Sequence, residues 1–281
     1  MPADSLACDD PDFARIRAWF DNSDRLERIG ESIRLALDWV IDGPRTGRYS
    51  IDQLQTSEKI YIGNRVEHEI LHELDLPKVP PLDTMIDGIA VDLKFSIDRS
   101  WMIPPEAIGE VCLILSANDL GSVFNVGLLR VQQKWLGRAE GNRDKKMGIT
   151  AAGRKAIDWI RRDHPLPRNF LLHLDPGVRT SILTMPDGRP RSGQQRINQV
   201  FRLMVGYPIS TNAIDTLAVQ RDPSKRCRDA RIPLRKEGII VCSAKYDYAK
   251  VKKYGYPPLK RDHWMSIRIG DRVTDSPQSG E

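Results

Sequence analysis

Between positions 24 and 42 the apolar residues Leu26, Ile29, Ile33, Leu37, Val40 and Ile41 recur at three- and four-residue spacing, the period of a helix with one buried stripe. The spacing predicts helix over 12–42, with Asp24 as an N-cap and Asp42-Gly43-Pro44 as the stop. A second helix is predicted over 57–74. The period then shortens, and strands are predicted over 82–86, 89–97, 110–117 and 124–131. Residues 150–162 read as helix again. Residues 161–168 carry two prolines and no periodicity, so a linker is placed at 163–169, between a first domain over 1–162 and a second over 170–281. Helices interleaved with strands make the first domain mixed α/β. The second reads as helix (195–205), a break at Gly206-Tyr207-Pro208, helix (210–219), a basic helix from Pro223, then a turn into a strand at 238–241. That is the order of a winged helix-turn-helix, whose basic helix enters the major groove.

Asp87-Gly88 between two apolar strands is a type I′ hairpin signal, because both turn positions need positive φ. Such a turn pairs Ile86 with Ile89, Met85 with Ala90, Thr84 with Val91 and Asp83 with Asp92. Opposed carboxylates repel, and a divalent cation between them reverses the sign. Lys94 shares their face because side chains alternate along a strand. Glu67, on the apolar stripe of the second helix, needs a partner where a lone charge is costly; that partner is either the hairpin cluster or a salt bridge to Lys94 or an arginine. Asp83, Asp92 and Lys94, joined by Glu67, are what metal-assisted phosphodiester hydrolysis requires. Taken alone, the hairpin could equally carry solvated charges.

Composition narrows the partners. The 281 residues are 40% hydrophobic and 29% charged, with no apolar run long enough for a membrane span. The acidic N-terminus (Asp4, Asp9, Asp10, Asp12) is the wrong sign for a targeting peptide. Cys8, Cys112, Cys227 and Cys242 lie far apart, which argues against a disulfide framework and fits a reducing cytoplasm. Neither a membrane partner nor a small-molecule cofactor is expected. Charge is uneven: residues 1–165 hold 22 Lys and Arg against 27 Asp and Glu, net −5, and residues 166–281 hold 21 against 11, net +10. A basic second half points to a polyanion, and Lys225, Arg226, Arg228 and Arg231 crowd its third helix. Lys250, Lys252, Lys253, Tyr254 and Tyr256 form a second basic-aromatic patch.

Two other functions compete. His68-Glu69-Ile70-Leu71-His72 matches the H-E-x-x-H of zinc peptidases, but no histidine follows before His164, and the flanking Asn64, Arg65 and Asp75 make a polar face. A DNA-binding regulator without catalysis is the other. It has no reason to tolerate opposed carboxylates.

The chain resembles the NaeI family of type II (type IIE) restriction endonucleases. The resemblance runs through Arg45-Thr46-Gly47-Arg48, Asp52-Gln53-Leu54, Glu58-Lys59, Gly63 and Val66-Glu67, then the stretch 88–96 with Val91-Asp92-Leu93-Lys94-Phe95-Ser96. It continues through Trp101-Met102-Ile103-Pro104-Pro105-Glu106, Ile108-Gly109, Leu171-Leu172-His173, Arg196-Ile197-Asn198 and Glu237-Gly238-Ile239-Ile240. The match thins around 184–191, and Leu82 stands where the family has proline. The resemblance implies a restriction-endonuclease-like mixed sheet flanked by helices, joined to a catabolite-activator-like DNA-binding domain. It also implies a homodimer that cuts GCCGGC in double-stranded DNA to blunt ends with Mg2+ and binds a second site as an allosteric effector. Carried over by position, Glu67, Asp83 and Asp92 are the acidic metal ligands and Lys94 the lysine. Arg45, Arg48, Lys59 and Arg99 are candidate DNA contacts of the cleavage domain; Arg196, Lys225, Arg226, Arg228 and Arg231 are those of the second.

Overall fold

A computed structural model describes residues 10–21, 24–137, 144–219 and 222–270; Cys8, the acidic residues ahead of Asp10 and the polar tail after Arg272 lie outside them. The chain forms two compact units, Met1–Val40 with Leu54–Arg168 and Ile41–Gln53 with Asn169–Glu281. The switch after Arg168 falls inside the segment expected to be the linker. The stretch 41–53, expected in the first domain, groups with the second unit.

The predicted helix over 12–42 is two helices, α1 (Pro11–Asp21) and α2 (Arg25–Ile41). The stripe of α2 is buried: Ile29, Ile33 and Leu37 are fully enclosed. A short α3 (Gly43–Thr46) follows Asp42, whose φ of 51° and the proline at the helix start turn the chain. Helix α4 (Thr56–Glu73) opens on a capping box, in which Gln55 N–H donates to Glu58 Oε2 at 2.8 Å, and buries Ile62, Val66 and Ile70. The strands are β1 (Thr84–Ile86), β2 (Ile89–Ser96), β3 (Met102–Ile103), β4 (Val111–Asn118), β5 (Val123–Arg130), β6 (Met147–Gly148) and, after α5 (Ala151–Lys155), β7 (Asp158–Pro165).

The main sheet runs β1-β2-β4-β5-β7, with β2 and β4 parallel and the other pairs antiparallel. It is a mixed sheet flanked by helices. Strand β4 is buried along all but its last residue, as a central strand of a two-sided sheet must be. The helix expected over 150–162 stops at Lys155. Residues from Asp158 on, with Trp159 opposite Gly127, instead join β5 as an edge strand, because β-branched and aromatic residues such as Trp159 and Ile160 fit the pleat. Gly127 permits the pairing: a Cβ there would stand 2.7 Å from Ile157 Cγ2 and 2.8 Å from Trp159 Cε3.

The second unit holds α6 (Pro176–Leu183), α7 (Gly193–Leu203), β8 (Ile209–Ser210), α8 (Thr211–Ala218), α9 (Pro223–Lys236), β9 (Ile239–Ser243), α10 (Tyr248–Lys253) and β10 (His263–Arg268). Its three strands make an antiparallel sheet in the order β8-β10-β9. Ile197, Phe201, Ile214, Leu217, Leu234 and Ile239 share its core, and Tyr49 packs on it. Asn169 Nδ2 donates to the Tyr49 carbonyl at 2.8 Å, and the Arg179 guanidinium lies 4.8 Å from the Tyr49 ring. These ties explain why 41–53 leaves the first unit.

Candidate active site

The β1–β2 hairpin carries the site. Asp87 and Gly88 have φ of 48° and 74°, and the register pairs Thr84 with Val91, Met85 with Ala90 and Ile86 with Ile89. Asp83 precedes β1, Asp92 and Lys94 lie on β2, and Glu67 comes from α4, whose Gly63 approaches the Phe95 carbonyl of β2.

Lys94 joins the cluster. Its ammonium lies 2.8 Å from Asp92 Oδ2 and 3.4 Å from Asp83 Oδ2, and donates to its own neighbour's Leu93 carbonyl at 3.0 Å. Asp83 Oδ2 also accepts the Leu93 N–H at 2.7 Å. Glu67 is close enough to Asp83 to feel its charge and has Lys78 Nζ 3.9 Å from its Oε1.

Burial pushes the Asp92 carboxyl up to about 6, against the pull of Lys94. Burial, reinforced by the charge of Asp83, raises Glu67 as well. Asp83 behaves oppositely: burial works against its charge, but Lys94 and the Leu93 N–H hold it below the ordinary carboxylate value. Burial would lower Lys94, yet Asp92 and Asp83 outweigh it and keep the group an ammonium. Cys112 lies beneath, its Sγ 3.5 Å from Asp92 Oδ2.

Three clustered carboxylates, two of them with raised proton affinity, are hard oxygen donors suited to a hard divalent cation. Among the described residues no three His, Cys, Asp or Glu side chains stand as a preformed metal cage; here the Lys94 ammonium bonds both aspartates.

The histidine motif assembles nothing comparable. His68 and His72 are exposed, while Glu69 is buried in an ion pair with Arg65. Arg65 in turn lies over the Trp39 ring at 4.6 Å. Glu69 is held away from the role a peptidase needs.

The expected DNA contacts are distributed differently. Lys59 and Arg99 are exposed on the first unit. Arg45 and Arg48, expected in the cleavage domain, belong to the second unit. Arg45 is 85% exposed and 3.4 Å from Asp42; Arg48 Nε donates to the Ile41 carbonyl at 3.0 Å. On α7 and α9, Arg196 and Arg226 each bury an Nε that no described group accepts from, while Lys225 and Arg228 are exposed. Arg231 turns inward, donating to the Val241 carbonyl at 3.1 Å and to buried Asp247 at 2.7 Å. The aromatic members of the second patch also face in: Tyr254 and Tyr256 pack on Cys242, Val251, Met265 and Ile267. The exposed tyrosines nearby are Tyr246 and Tyr248.

Sequence reasoning missed Lys78 and Cys112. Lys78 carried no pattern, and Cys112 is placed only by the parallel register Asp92↔Cys112, which no local signal encodes.

The family model described as restriction endonuclease NaeI matches residues 15–275. The type II restriction enzyme NaeI of Lentzea aerocolonigenes is 36% identical over 268 residues, covering 92% of this chain and 84% of its own length.

Proposed function

This chain belongs to the NaeI restriction endonuclease family, and from that membership we propose that it cuts both strands of DNA at GCCGGC with Mg2+, binding a second copy of the site as an allosteric effector. The observation that carries the chemistry is Lys94, whose ammonium reaches Asp92 and Asp83 beside Glu67.

Glu67, Asp83 and Asp92 are the residues to hold the cation. When bound, Mg2+ supplies Lewis acidity at the scissile phosphate and lowers the pKa of water. The protein's share is positioning. Asp83, fixed by the Leu93 N–H and by Lys94, is the pre-set ligand. Asp92 and Glu67, whose charged forms burial disfavours, are the ligands whose charge a bound cation would stabilise most. Lys94, kept as an ammonium, orients the attacking water and offsets charge building on the phosphate.

The second unit is proposed to bind the effector duplex. The sequence α7–β8–α8–α9–β9–β10 with sheet order β8-β10-β9 supports a winged helix-turn-helix with α9 in the major groove. Lys225 and Arg228 on α9, Arg196 and Arg226 beside it, and Arg45 and Arg48 are its candidate phosphate and base contacts; Lys59 and Arg99 serve the cleavage unit. Arg231 is assigned to the fold through Asp247. A two-fold DNA site is met most simply by a homodimer. No helix among the described residues is long and apolar enough to cross a membrane, and restriction of DNA places the enzyme in the cytoplasm.

The test is plasmid cleavage with Mg2+ on substrates carrying zero, one and two GCCGGC sites, with Asp92→Ala as the inactive control. Cleavage that needs the site, improves with a second copy and vanishes in Asp92→Ala is expected. Tight duplex binding without cleavage by the folded, Mg2+-supplied protein would overturn the enzyme reading in favour of a regulator.

A further inference from the structure

We propose that Cys112 is a positioning residue for Asp92: its thiol donates a hydrogen bond to Asp92 Oδ2 and, together with the Lys94 ammonium, fixes the orientation in which that carboxylate meets a cation. The proposal rests on the nuclease reading above.

The parallel pairing of β2 and β4 puts Asp92 and Cys112 side by side, so their side chains leave the same face of adjacent strands. The Sγ stands 3.5 Å from Oδ2, within reach for a sulfur donor, while Lys94 Nζ stands 2.8 Å from the same oxygen. Two donors on one carboxylate oxygen set the plane of the group and leave Oδ1 as the oxygen for a cation. Cys112 is fully enclosed among Ile114, Leu129 and Trp101, apolar groups that offer Oδ2 no alternative donor. Cys227 and Cys242, the other described cysteines, are buried in the second unit.

Packing and donation make opposite demands on substitution. If Cys112 only fills space, the apolar Ala, slightly smaller, and Val, slightly larger, are the better replacements, and Ser, which buries a hydroxyl, the worst. If it donates, Ser is the best because its hydroxyl reaches the same oxygen, while Ala and Val both fail.

The experiment measures the Mg2+ concentration giving half-maximal cleavage for Cys112→Ser, Cys112→Ala and Cys112→Val, with thermal melts confirming that each is folded. Cys112→Ser is expected within about twofold of the wild type, and Ala and Val to need about fivefold more Mg2+, the scale of one ordinary hydrogen bond. A second readout needs no catalysis. The infrared S–H stretch lost in Cys112→Ser is expected to shift in Asp92→Asn and when Ca2+ is added to the wild type. A Ser variant no better than Val, or an S–H band indifferent to Asp92→Asn, overturns the positioning role alone. A wild-type protein that neither cleaves nor binds a cation overturns the nuclease reading, and this role with it.

Discussion

Replacing Asp92 and Asp83 by asparagine, one at a time, should move stability in opposite directions, although the two carboxylates share one lysine. Asp92 is 2% exposed and its carboxyl is raised from 3.8 to about 6. Between those values the native state holds a proton that the unfolded chain has released, so wild-type stability falls as pH rises through that window. A rise of about two pH units corresponds to about 3 kcal/mol against the fold at pH 8. Asp92→Asn removes that cost. It also takes from Lys94 its nearer partner, at 2.8 Å, leaving Asp83 at 3.4 Å, which offsets part of the gain. A net stabilisation of about 1–2 kcal/mol at pH 8 in EDTA is expected, shrinking to zero or below by pH 5. Asp83 has the opposite sign. Its lowered pKa contributes stability that is present above the unfolded value and lost as pH falls through the folded one. Asp83→Asn forfeits the Leu93 N–H bond to a charged acceptor and should cost about 1–3 kcal/mol at pH 8. Urea unfolding followed by tryptophan fluorescence suits the test, because five of the six tryptophans (Trp19, Trp39, Trp101, Trp135, Trp159) lie in the first unit. If both substitutions shift stability the same way, or Asp92→Asn destabilises at pH 8, the account of which carboxylate strains the fold is wrong.

Other outcomes are open to direct measurement. Lys94→Met should lower single-turnover cleavage by about 100-fold or more, the scale of removing one charge stabiliser from a transition state, while duplex binding persists in Ca2+. EDTA should abolish cleavage and added Mg2+ restore it, with the His68→Gln, His72→Gln double variant as active as the wild type; loss of activity in that variant would revive the zinc reading. Lys225→Ala with Arg228→Ala should lower the slope of log K against log salt for duplex binding by about 2, one phosphate contact each. Arg231→Ala should instead cost the second unit about 1–3 kcal/mol, because it deprives buried Asp247 of a charged donor. Gly127→Val should destabilise by about 1–3 kcal/mol, the price of overpacking against Ile157 and Trp159.

Local signals carried most of the candidate site. The Asp-Gly turn specified the hairpin and its register, because a two-residue turn leaves no freedom in pairing. The stripe of α4 placed Glu67 on the side that packs toward β2. What stayed hidden depends on partners distant in sequence. The strand at Asp158–Pro165 reads in sequence as the end of a helix because Ala151, Ala152, Arg154 and Lys155 favour helix; the bare surface at Gly127 lets Trp159 pair into the sheet and Ile157 pack against it. Arg231 looked like one more basic residue on α9 until Asp247, sixteen positions on, claimed it. Arg45 and Arg48 group with the second unit for the same reason, since Tyr49 is held by Asn169 and Arg179, 120 and more positions away.

The strain in the carboxylate cluster makes sense only alongside the sheet that bears it. Asp92 sits on β2, between the hairpin partner β1 and the parallel neighbour β4, and β4 is buried almost end to end. Apolar burial of that kind is worth roughly 1.5–3 kcal/mol per large side chain, so Leu113, Ile114 and Leu115 alone outweigh a penalty of about 3 kcal/mol at Asp92. The enclosed Asp92 carboxylate is held by its packing against β4 and by the Lys94 and Cys112 donors. Asp92 therefore carries its raised proton affinity on a strand whose backbone is tied to β4 from Val91 to Ser96. Asp83, just ahead of the three-residue edge strand β1, has less sheet around it to hold a strained charge, and there the Leu93 N–H and Lys94 favour its charged form instead.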